Sequence, residues 1–305
     1  MTTIGTLRGT AVLLSVLAVA ACAQRSDGGS PPSGAPAPPG AELPGDPASL
    51  VLRVEYTGGF LPQESALTRL PSYSVYADGR LITDGPVAAI HPGAALPRLQ
   101  VQVLDAATVQ GLADRAMAAG VAQDSDLGRP PIADSPSTRV TLVTAEGTHV
   151  REVYALAGYV GEEDALEGAL TAEQRTGRAQ LRGLLTALGD LGQQPTPEEQ
   201  VPAEPYAAEA VAAIARPWSA PQGEAAQGST PEPVPWPGPA LPGEPTGGLP
   251  DLGCVTATGD EGAAVLAAAR SANARTPWST PDGARWSVSF RPLLPDESGC
   301  ADLRD

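Results

Sequence analysis

Residues 138–156 read TRVTLVT-AEG-THVREVYAL, and the fold class turns on that stretch. Two runs rich in β-branched residues flank a short polar break, with Gly147 at the turn. This pattern predicts an antiparallel hairpin. Upstream, YSVY-ADG-RLIT over 73–83 predicts a second one, Asp78-Gly79 supplying the positive φ of the turn. LVLRVEYT over 50–57 alternates: Leu50, Leu52, Val54 and Tyr56 face one way, Arg53, Glu55 and Thr57 the other, as in a half-buried strand. LPRLQVQVL over 96–104 alternates again, with Leu99, Val101 and Val103 on one face.

Two helices complete the pattern. Asp105 is placed to cap a helix whose apolar positions Val109, Leu112, Ala113, Ala116 and Met117 fall at helical spacing, and Gly120 ends it. Thr171 and Gln174 form a capping box for the second, with Leu181, Leu184, Leu185, Leu188 and Leu191 on one stripe. Strands, helix, hairpin, helix is the order of an α+β body over 49–192: an antiparallel sheet built from hairpins, with two helices packed on it.

The chain changes character beyond 192. Residues 192–205 and 219–250 are rich in Pro, Gly, Gln and Glu, and YAAEAVAAIARPW between them admits one short helix or an edge strand. Residues 251–305 read as a small β-α-β segment: CVTAT, then EGAAVLAAARSANA, then ARWSVSFRPLL with Trp286, Val288 and Phe290 inward. Such a segment either forms its own lobe or adds strands to the first sheet, and packing against the first domain is the expectation. Its core is small, which is where a disulfide helps most. Cys254 and Cys300 are the even pair left once Cys22 is set aside, and a Cys254–Cys300 bond is expected, with two free thiols as the alternative.

Composition narrows the partners. The chain holds 34 glycines and 33 prolines, no lysine and few aromatics, and its net charge is -16. Such an acidic surface repels phosphates and argues against nucleic acid. It is also repelled by anionic headgroups, so the body is expected to stand off a membrane.

The N-terminus gives an address. Residues 1–8 carry one cation, Arg8, and the uncharged run to Ala21 is too short to cross a bilayer but fits a signal-peptide core. Val19-Ala20-Ala21-Cys22 resembles the lipobox of bacterial lipoproteins. That resemblance implies removal of residues 1–21, a diacylglyceryl group on Cys22, and a protein held by lipid on the extracytoplasmic face of the cell membrane. Ala21-Cys22-Ala23 also satisfies an ordinary signal peptidase, which would release a soluble secreted protein. Residues 22–48 then read as a disordered Pro/Gly-rich tether with a relaxed span of roughly 25–30 Å.

In the body, PPIADSPSTRVTL with VYAL, LTAEQRTGRAQLRGLLTAL, ARPW and TPWSTPDGARWSVSFRPLLPDESGC resemble a group of uncharacterised actinobacterial lipoproteins. The resemblance implies class and compartment; it brings no activity and no site residues.

Several chemistries find no support. There is no G-x-S-x-G elbow. His91, in a turn-like Ile-His-Pro-Gly, and His149, just past a hairpin turn, read as surface or packing residues. With no HExxH and two distant histidines, neither a metal nor a cofactor is expected. Asp124-Ser125-Asp126-Leu127-Gly128 lacks the later ligands of a calcium loop. Thr258-Gly259-Asp260-Glu261-Gly262 sits where phosphate loops sit, but its acids suit a helix N-terminus instead. Glu162, Glu163, Asp164 and Glu167 read as a solvated loop. Trp218, Trp236 and Trp278 each adjoin a proline in the last third and read first as plugs of the core beneath the Pro-rich segments; the alternative, an apolar groove for a peptide or glycan, makes them the candidate binding surface. The expected function is a non-enzymatic binding module for an envelope protein or glycan. A cell-wall hydrolase, or its accessory, acting through unplaced carboxylates is the rival.

Overall fold

The computed structural model describes residues 40–157, 168–193, 203–220 and 231–303. The leader, Cys22 and the acidic stretch Glu162–Glu167 lie outside them. The strands β1 (Leu50–Thr57), β2 (Tyr73–Tyr76), β3 (Arg80–Asp84), β4 (Leu99–Val103), β5 (Ser137–Thr144), β6 (Gly147–Tyr154) and β7 (Glu204–Pro205) form one sheet in the order β6-β5-β1-β2-β3-β4-β7. Every pairing in it is antiparallel. At the β2–β3 turn Gly79 adopts φ +92, and a side chain there would meet the carbonyl oxygen of Leu104 at 2.3 Å. No other residue type fits.

One face of this sheet is covered by helices α2 (Ala106–Ala118) and α3 (Ala172–Gln193). Asp105 accepts a hydrogen bond from the Thr108 amide at 2.7 Å, which caps α2. The capping box of α3 is closed both ways, Thr171 N to Gln174 Oε1 at 2.9 Å and Gln174 N to Thr171 Oγ1 at 3.2 Å. Leu181, Leu184 and Leu188 are fully buried on β1 and β5 residues such as Leu52, Val54, Val140 and Leu142. Each such leucine contributes about 1.5–3 kcal/mol of transfer free energy.

Three local expectations are corrected. A register shift between Leu50 and Leu52 turns Leu50 onto the opposite face, where it packs with Tyr76, Ile82 and Leu99. Met117 is 38% exposed and Val103 53%, since each stands at the end of its element, beyond the covered area. The body also begins earlier than Ser49. Ala41 and Leu43 pack on the aliphatic core, and the Ala41 amide donates to Asp114 at 2.8 Å.

A second sheet is built from β8 (Val211–Pro217), β9 (Val234–Pro235), β10 (Glu244–Pro245), β11 (Gly253–Ala257), β12 (Trp278–Ser279) and β13 (Arg285–Pro292), in the order β10-β11-β8-β13-β12-β9. The ambiguous YAAEAVAAIARPW is neither helix nor edge. Its residues 211–217 are β8, paired with β11 on one side and β13 on the other. Val211 to Ala215 are all fully buried, which explains the unbroken apolar run. The C-terminal segment adds no strand to the first sheet. Its β11 and β13 are both antiparallel to β8, hence parallel to each other, giving a split β-α-β unit around β8. The crossover helix α4 (Gly259–Ser271) packs Val265, Leu266 and Ala269 on one face of this sheet. The other face meets α1 (Gln63–Thr68) through Leu67 and the 3-10 turn Cys300–Leu303. Cys254 and Cys300 are disulfide-bonded with a Cα–Cα distance of 6.0 Å, tying β11 to that turn. The result is an α+β protein with one antiparallel sheet and a second that is antiparallel except where β9 joins β12 in parallel. Among the described residues no helix is long and apolar enough to cross a membrane.

Candidate functional site

The open face of the first sheet and the second sheet meet through a partly buried polar network. On β1, Arg53 points away from the helices, as its place in the alternation requires. Its Nη2 donates to Asp296 Oδ1 at 2.7 Å, and the Tyr76 hydroxyl donates to the same oxygen at 2.7 Å. Burial alone would lower the Arg53 guanidinium, but Asp296, Tyr76 and Glu297 outweigh it and hold it above its ordinary value. Burial, with Asp296 beside it, pushes the Tyr76 phenol far up. Arg291 of β13 donates to Glu297 at 2.8 Å, and Glu297 also accepts from the Leu294 amide at 2.8 Å. Helix α1 is fixed on the second sheet by Glu64, which accepts from Ser289 Oγ at 2.6 Å and pairs with Arg216 at 2.9 Å. Tyr206 donates to the Leu293 carbonyl at 3.0 Å, and burial raises its phenol to about 12.

Beside this network lies a cleft of about 290 Å³. Its walls are β1 and β5, α1 and the C-terminal 3-10 turn, and four arginines line it: Arg53, Arg69, Arg139 and Arg291. Arg139 pairs with Glu55 at 3.6 Å and with Glu152 at 3.1 Å. Asp302 accepts from the Ser298 amide and hydroxyl and from Gly299, and these bonds hold its carboxyl below the usual range.

A second concavity, of about 560 Å³, is apolar. It lies between the β3–β4 loop, β7 and the C-terminal end of α4, and Leu96, Pro97, Leu99, Pro205, Tyr206 and Ala269 line it. Arg98 and Arg270 stand in its walls, and among the described residues neither guanidinium has a hydrogen-bond or ion-pair partner. The run Pro86–Ile90 enters this loop fully in solvent, with Val87 74% and Ile90 67% exposed. The loop is held to α4 by Ala95 N to Ala272 O at 3.2 Å and Ala274 N to Gly93 O at 2.9 Å.

The tryptophans do not form a surface. Trp278 is fully buried and Trp236 nearly so, and both pack edge-to-face or stacked with Phe290 at centroid distances of 5.3 Å and 6.3 Å. Trp236 Nε1 donates to the Pro239 carbonyl at 2.6 Å, so the proline-rich segment closes over the ring it carries. This removes Trp236 and Trp278 from the candidate binding surface: both are core, as the plug reading has it. Trp218, like Trp286, is half-exposed, with the Arg285 guanidinium 5.8 Å from its ring.

His91 and His149 are kept apart. His91 accepts from Arg275 at 2.9 Å in the β3–β4 loop, while His149 sits on edge strand β6, opposite Leu142. Three strands lie between β6 and β3, a separation of roughly 20 Å. Asp126 caps its own loop by accepting from Gly128 at 2.8 Å and also accepts from Gln174 at 2.9 Å. Among the described residues no group of three His, Cys, Asp or Glu could hold a metal ion.

Neither a family model, nor a curated protein, nor a solved structure matches the chain.

Proposed function

We propose that this protein is a lipid-anchored interaction module on the extracytoplasmic face of the cell envelope, docking a partner protein in the apolar groove beside Pro86–Ile90. The single observation behind this reading is that exposed apolar loop, continuous with a groove of about 560 Å³. Isolated exposed apolar residues are ordinary; a run of them flanking an apolar groove marks a contact surface. Arg98 and Arg270 support one occupant by charge: an apolar segment flanked by carboxylates. In a chain of net charge -16, two arginines at one groove that no described residue engages favour that complement. The lipobox residues ending at Cys22 support the address, as does the Cys254–Cys300 disulfide, a bond of oxidising compartments.

The test is capture from a solubilised envelope extract with the full chain and with its Val87→Asp/Ile90→Asp variant. A stoichiometric partner that the variant loses supports the reading, most of all when Arg98→Ala weakens it in a salt-dependent way. Equal capture by the variant, or retention on purified cell wall with no protein partner, overturns it. The address is tested apart: Cys22→Ser should abolish detergent-phase partitioning, and unchanged partitioning would refute lipid attachment.

A further inference from the structure

The arginine-lined cleft between the sheets has more hydrogen-bond donors than its surroundings satisfy. Arg69 Nη1 donates to the carbonyls of Tyr56 at 2.7 Å and Gly58 at 3.3 Å, and no carboxylate pairs with it among the described residues. Arg291 is 3% exposed; its Nη1 donates to the Pro292 carbonyl and its Nη2 to Glu297, yet its buried Nε has no partner among the described residues. Arg53 Nη1 is 4.0 Å from Glu297 Oε1, beyond hydrogen-bond reach.

The acceptors, by contrast, are engaged. Glu297 uses one oxygen on Arg291 and the other on the Leu294 amide. Asp302 takes three donors from Ser298 and Gly299, and Glu55 faces Arg139. A buried donor with no acceptor is unfavourable, and more so on a charged group. What the cleft lacks is therefore an acceptor, and an anionic one matches guanidinium donors best. The volume of about 290 Å³ limits the ligand to a small molecule.

We propose that this cleft binds a small oxyanion-bearing ligand, a carboxylate or a phosphate, gripped by the Arg69 guanidinium with Arg53 Nη1 completing its shell. The site is separate from the docking groove and does not depend on it. The acidity of the chain as a whole does not forbid it. At physiological ionic strength the protein's distant charges are screened beyond about 8 Å, whereas the donors in the cleft are in contact.

The probes are inorganic phosphate, N-acetylalanine and, as the uncharged control, N-acetylalaninamide, titrated calorimetrically into the full chain in a buffer free of both anion types. One of the anions should bind with a millimolar or tighter Kd and raise the melting temperature, while the amide does neither. Phosphate alone would assign a phosphate ligand; N-acetylalanine alone would assign a peptide-type carboxylate. Arg69→Gln should weaken the binding about tenfold or more; since it also removes the bonds to the Tyr56 and Gly58 carbonyls, its affinity is read at a temperature where the unliganded variant is folded. Arg69→Lys, which keeps the charge and loses the fork, should weaken it less. Failure of both anions to bind at tens of millimolar, or binding that Arg69→Gln leaves intact, overturns the proposal.

Discussion

The two sheets are stabilised by opposite means. In the first, neighbours in space are mostly neighbours in sequence: β5 and β6 pair over their whole length, from Ser137–Tyr154 to Thr144–Gly147, around one turn. Its core is aliphatic, spread over twenty buried residues, and two helices close it. The second sheet has strands of two to eight residues separated by Pro/Gly-rich chain. Its main core is smaller, and three aromatic rings, Trp236, Trp278 and Phe290, fill its centre. The lesson is that a proline-rich chain poor in aliphatic stripes can still fold if a few large rings and one covalent tie replace them.

Removing a ring should expose this difference most. Trp278→Ala deletes the largest fully buried side chain, and a loss of about 3–5 kcal/mol is expected in urea unfolding. Hydrogen exchange should rise in β8 and β13 while β1 and β5 stay protected; equal loss everywhere would erase the distinction between the sheets. Next in size is reduction of Cys254–Cys300. Its 46-residue separation gives about 3–4 kcal/mol in the chain-entropy model, read as a lower melting temperature under reductant. A melting temperature indifferent to reductant would deny the tie its role. In the first sheet, Thr171→Ala opens the capping box of α3 and should cost about 1 kcal/mol, with the loss confined to that helix.

A last effect shows itself only at high pH. Tyr206 joins the sheets through Leu293, and burial raises its phenol to about 12. A phenol whose folded pKa exceeds its unfolded value of about 10 stabilises fully below pH 10. That contribution is lost as pH rises from about 10 to 12, since the unfolded chain releases its proton first. Stability should therefore fall across that window, and Tyr206→Phe should flatten the fall. An unaltered slope in the variant would remove Tyr206 from the account.

The same contrast governs what could be read from the sequence. Asp105, Asp78-Gly79, Gly147 and the Thr171–Gln174 pair announce themselves because each acts within a few residues. Strand β8 does not. Val211–Ala215 is buried on both faces, so it carries no alternation, and its partners lie dozens of residues downstream. The register shift at Leu50 leaves no composition signal. Proline beside tryptophan is compatible with a groove or with a plug, and here the prolines are the lid over the rings. Ala41 and Leu43 were hidden in a stretch whose Pro/Gly content reads as tether. The cleft was illegible for a similar reason. Arg53, Arg69, Arg139 and Arg291 form no motif; strand alternation places Arg53, Arg139 and Arg291 on faces, but nothing local brings those faces together.

The insertion of β8 between β11 and β13 also sets a timetable. A chain made from its N-terminus completes β8 long before either neighbour exists. Until Ala257 has emerged, Val-Ala-Ala-Ile-Ala waits with both edges unpaired, and one edge stays open until Pro292, the condition that favours association with other chains. A chain stopped before Arg285 is thus expected to accumulate as insoluble material, and one extended past it to fold. For this protein, the last strand to appear decides whether an earlier one is a core or a hazard.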